Sequence, residues 1–105
     1  DIVFCDVPCS GSGSWRRDPE GKWSLSPEKL DELQEVQRDI LQTASGFVTP
    51  EGYLAYATCS VLRSENHDQV DWFLSENPQW IVTEQVQFVP NTLGDGFFVT
   101  LLKRR

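Results

Sequence analysis

The sequence predicts an α/β domain built on a mixed sheet. Three observations carry that reading. Two short apolar runs, residues 2–6 and 53–58, have the character of buried strands. A helical stripe of apolar residues lies between them, which makes a strand–helix–strand crossover and a parallel pair. The last apolar runs, near 80–89 and 97–102, follow one another with no helix between. Strands joined that way pair antiparallel or lie apart, so the antiparallel part of the sheet belongs at the C-terminal strand.

Each element has its own local justification. Ile2-Val3-Phe4-Cys5 is followed by Asp6, Pro8 and the glycines 11 and 13, so a strand ends in a loop. Residues 14–25 read as a long connection with Trp15, Arg16, Arg17 and Trp23. Ser26-Pro27-Glu28 is a helix start, with Ser as N-cap, Pro at the first position and an acid in the first turn. Leu30, Leu33, Val36, Ile40, Leu41 and Ala44 then form the apolar face of a core-packing helix over 27–45, on which no chemistry is expected. Tyr53–Thr58 is the second strand and ends at Cys59-Ser60. Ser64 is positioned to cap a second helix over 65–76, which Asn77-Pro78 stops. Trp80-Ile81-Val82 and Val86–Val89 are strand-like with Thr83-Glu84-Gln85 between them, and the strand near 97–102 closes on Lys103-Arg104-Arg105.

Composition narrows the function. The chain has 105 residues, enough for one small domain. It has no Met, and Asp1 opens directly into a strand-like run, so it reads as a piece of something longer. No run has the length of a membrane span, and no signal peptide is visible. A net charge of −7 argues against strong nucleic-acid binding by these residues alone; positive charge is local, at Arg16-Arg17 and at 103–105. Three cysteines make a disulfide framework unlikely to close, and no Cys-x-x-Cys is present, which disfavours a thiol redox domain. With one His a closed zinc site is not expected. Reduced thiols in a cytoplasmic compartment are the simplest account.

The chemistry lies where strands end. Asp6 and Cys9 follow the first strand and Cys59 follows the second, 50 residues later. Neighbouring parallel strands bring their carboxyl ends to one sheet edge, which is where ligands bind in open α/β sheets. Cys9 and Cys59 are therefore expected to face one pocket. Two readings of the 14–25 connection stay open: Arg16 and Arg17, with an aromatic beside them, suit a phosphate and a stacked base, or the segment is a solvated connection whose Trp side chains lie against the core. Cys5 belongs to the strand layer, and His67 is expected to serve as a helix residue rather than a base.

At these residues the sequence resembles a known family. Asp6-Val7-Pro8-Cys9-Ser10-Gly11-Ser12-Gly13 with Arg16-Arg17 is similar to the Asp-x-Pro-Cys-Ser-Gly loop of RNA cytosine-5 methyltransferases of the Sun (Fmu) family. Tyr56-Ala57-Thr58-Cys59-Ser60 followed by Glu65-Asn66 is similar to that family's Thr-Cys-Ser loop and Glu-Asn helix start. Gly94-Asp95-Gly96-Phe97-Phe98 resembles its final hairpin strand. Val7 stands where Ala is usual and Trp15 where an aliphatic residue is common.

The resemblance implies the C-terminal half of a Rossmann-like, S-adenosylmethionine-dependent methyltransferase domain. The family's cofactor glycine loop would precede Asp1, and Ser10-Gly11-Ser12-Gly13 is no substitute for it. It further implies that Cys59 is the nucleophile on cytosine, that Cys9 assists release of the methylated product, and that Asp6 contacts the cofactor. Arg16 and Arg17 are candidate contacts to RNA, ribosomal RNA in the first place. No metal and no membrane are implied. Two alternatives stay open: an amino-directed methyltransferase, whose loop would typically carry Pro-Pro-aromatic rather than Pro8-Cys9, and a non-catalytic RNA-binding or assembly module on the same fold.

Overall fold

In the computed structural model the description covers residues 2–10, 26–88 and 96–105. The elements run β1 (Ile2–Asp6), α1 (Pro27–Ser45), β2 (Tyr53–Thr58), a 3₁₀ turn (Arg63–Glu65), α2 (His67–Glu76), β3 (Trp80–Phe88) and β4 (Phe97–Arg104). They form a four-stranded sheet in the order β1-β2-β4-β3. β1 pairs parallel with β2, Cys5 beside Tyr56 and Asp6 beside Ala57. β4 lies antiparallel to both β2 and β3. The mixed sheet with its antiparallel C-terminal strand is as the sequence predicts.

The alternation of side chains across each strand decides which sheet face is covered. Leu54, Tyr56 and Thr58 of β2 stand beside Leu102, Thr100 and Phe98 of β4, and all six are buried. Cys5 and Val7 continue that face, and Leu41 of α1 with Val70 and Phe73 of α2 complete the core. The opposite face carries Ile2, Phe4, Val86, Phe88 and Phe97, all exposed. Phe88 and Phe97 stack there with ring centroids 4.5 Å apart.

Several local expectations are corrected. Val36 is exposed and Gln37 fully buried, so the covered stripe of α1 is displaced by one residue and contains an amide. The expected helix over 65–76 divides into the 3₁₀ turn and α2, and the residue at the N-cap of α2 is Asn66, not Ser64; Asn66 makes no side-chain capping bond because its amide is engaged elsewhere. β3 is one strand rather than two runs, with a register shift between Val82 and Glu84 that absorbs the polar centre. The C-terminal cations are structural as well as charged. Arg104 donates to the carbonyls of Ser45, Val48 and Thr49 and lies 4.6 Å from the Trp80 ring centroid. It thereby satisfies a carbonyl at the end of α1, where a cation also suits the helix dipole.

Candidate functional site

The parallel pairing of β1 with β2 brings Asp6 and the Cys59 loop to the same end of the sheet. Phe4, Asp6, Ala57, Thr58, Cys59, Gly96, Phe97 and Val99 line a cavity of about 590 Å³ there. Asp6 and Cys59 are both exposed, and the remaining walls are mainly apolar. An open, largely apolar cavity with one carboxylate and one thiol at strand ends suits a planar ligand and a cationic group. Cys9 is half-buried and is not among the described residues that line this cavity. Arg16 and Arg17 lie outside the described residues.

What joins the two cysteine loops is a residue that the sequence reading gave no role. Glu65, at the end of the 3₁₀ turn, is fully buried. Its Oε2 accepts from the Ser10 backbone N–H at 2.7 Å and from Gln37 Nε2 at 2.9 Å. Its Oε1 accepts from the hydroxyls of Ser10 and, at 2.6 Å, Ser60. Ser10 follows Cys9 and Ser60 follows Cys59, so one carboxylate holds both loops. Charge-assisted bonds of this kind are about twice as strong as neutral ones, and four donors are what allow a buried carboxylate to stay there.

The neighbours of Glu65 complete the frame. Gln37 also donates to the Pro8 carbonyl at 2.9 Å, and its own oxygen accepts from Gln69 Nε2 at 3.0 Å. Helix α1 thus contributes to the Pro-Cys loop as well as to the core, which corrects its reading as packing alone. Asn66 accepts from Thr58 Oγ1 at 2.6 Å and donates to the Ser60 carbonyl at 2.8 Å, bracketing Cys59 from both sides. A further bond from Asn66 to Gln87 Oε1, at 2.9 Å, ties the loop to β3. Tyr56 donates from its hydroxyl to the Glu65 carbonyl at 2.7 Å. Burial above all, and then the nearby Glu65 carboxylate and the Cys9 and Cys5 thiols, push the Tyr56 phenol well above its ordinary range. It is therefore a neutral donor. His67 packs against Phe98 with centroids 5.1 Å apart, in keeping with a packing role.

Cys5, Cys9 and Cys59 form no disulfide. Burial pushes the Cys5 thiol up to about 11, as expected of a residue in the strand layer. Among the described residues no group of three or more His, Cys, Asp or Glu is placed to hold a metal ion. Nor is any helix among them long and apolar enough to cross a membrane. The Gln37, Glu65 and Asn66 roles had one signal in the sequence: Glu65-Asn66 belongs to the motif that carries the resemblance, although nothing local shows what it holds.

Comparison with known proteins agrees with the motifs. The family model described as 16S rRNA methyltransferase RsmB/F matches residues 1–103. Ribosomal RNA small subunit methyltransferase B of Salmonella paratyphi A is 37% identical over 113 residues, covering 100% of this chain and 26% of that protein. The protein of the same name from Proteus mirabilis is 37% identical over 106 residues, covering 100% and 25%. The chain thus spans about a quarter of the length of these curated relatives. Among solved structures, PH0851 superimposes with a TM-score of 0.92 at 32% identity, over 99% of this chain and 26% of that one. NSun6 from Pyrococcus horikoshii, solved with SFG, gives 0.80 at 21% identity, over 96% and 29%, a likeness of fold. The sheet is accordingly part of a Rossmann-like methyltransferase fold. From the two cysteine loops, the sheet that places them and the match over nearly its full length, the chain belongs to the 16S rRNA methyltransferase RsmB/F family.

Proposed function

We propose that this chain is the C-terminal part of the catalytic domain of an S-adenosylmethionine-dependent RNA methyltransferase. In this reading it acts in the cytoplasm on carbon-5 of cytosine, in ribosomal RNA, through a covalent cysteine adduct. The observation that carries the reading is the pair of thiol-bearing strand ends, side by side in a parallel ladder and tied to one buried carboxylate. The exposed apolar sheet face supports the placement within a larger domain, since sheets with parallel strands are ordinarily covered on both sides. These 105 residues are not expected to transfer a methyl group alone.

Carbon-5 of cytosine is too weak a nucleophile to take a methyl group unaided. The Cys59 thiolate adds to carbon-6, forming a carbon–sulfur bond and moving an electron pair toward carbon-5. S-Adenosylmethionine supplies the activated methyl group when bound. Asp6 would hold the cofactor and hydrogen-bond the cytosine, a role supported by its exposed position among the cavity's walls. Carbon-5 then loses its proton to a base, the carbon–sulfur bond breaks, and Cys59 leaves as thiolate while Cys9 assists that release. This splits one difficult step into easier ones. The nucleophile in that first step is the thiolate, not the thiol. Arg16 and Arg17 would hold RNA phosphates.

In the full-length protein, Cys59→Ala is expected to abolish both methyl transfer and the covalent RNA adduct. Cys9→Ala is expected to permit attack and transfer but hinder elimination, so that enzyme accumulates on methylated RNA as a slow band on a denaturing gel. Adduct retained only when Cys59 is replaced would reverse the two roles. No adduct in either variant, with both still folded, would sink the covalent mechanism.

A further inference from the structure

We propose that Glu65 is a positioning residue that sets the Pro-Cys and Thr-Cys loops against each other and so couples adduct formation to product release. The inference rests on the reading of Cys59 and Cys9 given above, and goes beyond it to a group that touches neither base nor cofactor in that mechanism. Glu65 is fully buried, and its carboxylate receives two bonds from Ser10, one from Ser60 and one from Gln37. Three of those four bonds come from the two residues that immediately follow the two thiols, so the carboxylate joins both loops at one point. Both backbones are further fixed around it. Gln37 holds the Pro8 carbonyl on one side, and Asn66 holds Thr58 and the Ser60 carbonyl on the other. The backbone segments that follow the two thiols are therefore tied to one carboxylate.

The two halves of the strut act on different steps. Ser10 adjoins Cys9, whose step is release. Ser60 adjoins Cys59, whose step is attack. Ser10→Ala removes one of the two bonds from Ser10 to Glu65 and leaves the backbone bond in place. Ser60→Ala removes the hydroxyl that donates to Glu65 and accepts from the Leu62 N–H. Glu65→Ala leaves four donors short of a partner and is expected to lose folded protein as well as activity, so the serine variants make the test.

The experiment uses the full-length protein, its RNA substrate and S-adenosylmethionine. Single-turnover methyl transfer, the fraction of enzyme joined to RNA on a denaturing gel, and thermal unfolding are measured together. Ser10→Ala is expected to keep the transfer rate within about threefold while adduct accumulates roughly tenfold, as a lost bond to a charged group would produce. Ser60→Ala is expected to slow transfer roughly tenfold with no accumulation. Equal effects on both readouts in both variants, in step with lost folding, would make Glu65 structural and overturn the proposal. Unchanged transfer and adduct in both folded variants would overturn it equally. Cys59→Ala, run alongside, separates this failure from failure of the underlying reading: adduct persisting in that variant reverses the roles of the two thiols on which the proposal rests.

Discussion

Cys5 in β1, and Cys9 and Cys59 in the loops after β1 and β2, have three different settings: buried, half-buried and exposed. The difference follows from strand alternation and strand ends. Cys5 points into the covered face beside Tyr56, whereas Cys59 follows the last residue of β2 and opens onto the cavity. Thiol reactivity should follow this order. A small alkylating reagent at pH 8, read by peptide mass spectrometry, is expected to modify Cys59 first and Cys5 only once the chain unfolds; early modification of Cys5 would contradict its burial. The Cys5 thiol also links to stability. Its ordinary value is 9.0 and its folded value about 11, so between those two pH values the unfolded chain has released a proton that the folded one keeps. Stability therefore falls as pH rises through that window, and Cys5→Ala or Cys5→Ser should flatten the decline. At this scale the strand end that carries Asp6 was legible because Pro8 and the glycines after it mark the end of a strand. Glu65 and Gln37 were not. A buried polar residue in a helix or turn shows its purpose only through partners about 30 or 55 positions away, here Pro8 and Ser10.

Helix α1 and the turn before α2 differ in how they begin. Ser26 accepts from the Lys29 N–H at 3.2 Å and Pro27 follows it, so the local signals for α1 are satisfied as written. Ser64 lies inside the 3₁₀ turn and makes no capping bond for α2. Ser26→Ala is therefore expected to cost about 1 kcal/mol, and Ser64→Ala less than about 0.5 kcal/mol, by urea unfolding. Equal costs would restore Ser64 as a cap. The sequence pointed to Ser64 because a serine ahead of an acidic first turn is an ordinary helix start. It was overridden because the 3₁₀ turn is what aims Glu65 at the two cysteine loops. The extents of α1, β1 and β2 were readable since propensity, periodicity and packing agree there. β3 was read as two runs because Thr83-Glu84-Gln85 is polar, yet that stretch is exposed at the sheet margin, where pairing with β4 needs no apolar side chains.

The whole molecule has one furnished face and one bare face. Helices cover the side bearing Tyr56 and Phe98, while Ile2 and Phe4 on the other side are more than half exposed. On the proposed reading, these residues form only part of the cofactor site, and the 105-residue chain alone is expected to bind S-adenosylmethionine weakly. Micromolar or tighter binding by calorimetry would contradict this. The general architecture was legible from the succession of strands and helices, whereas the insertion of β4 between β2 and β3 was not, because local pattern does not say which strands become neighbours. That insertion has a consequence for synthesis on the ribosome. β3 is made before β4 but hydrogen-bonds to nothing else in the sheet, and β2 has its second edge filled only by β4. Until Phe97–Arg104 has left the exit tunnel, β3 has no partner strand and β2 keeps an unpaired edge, the kind of surface to which chaperones and other chains attach. The strand translated last of the four is thus the one that ends that exposure.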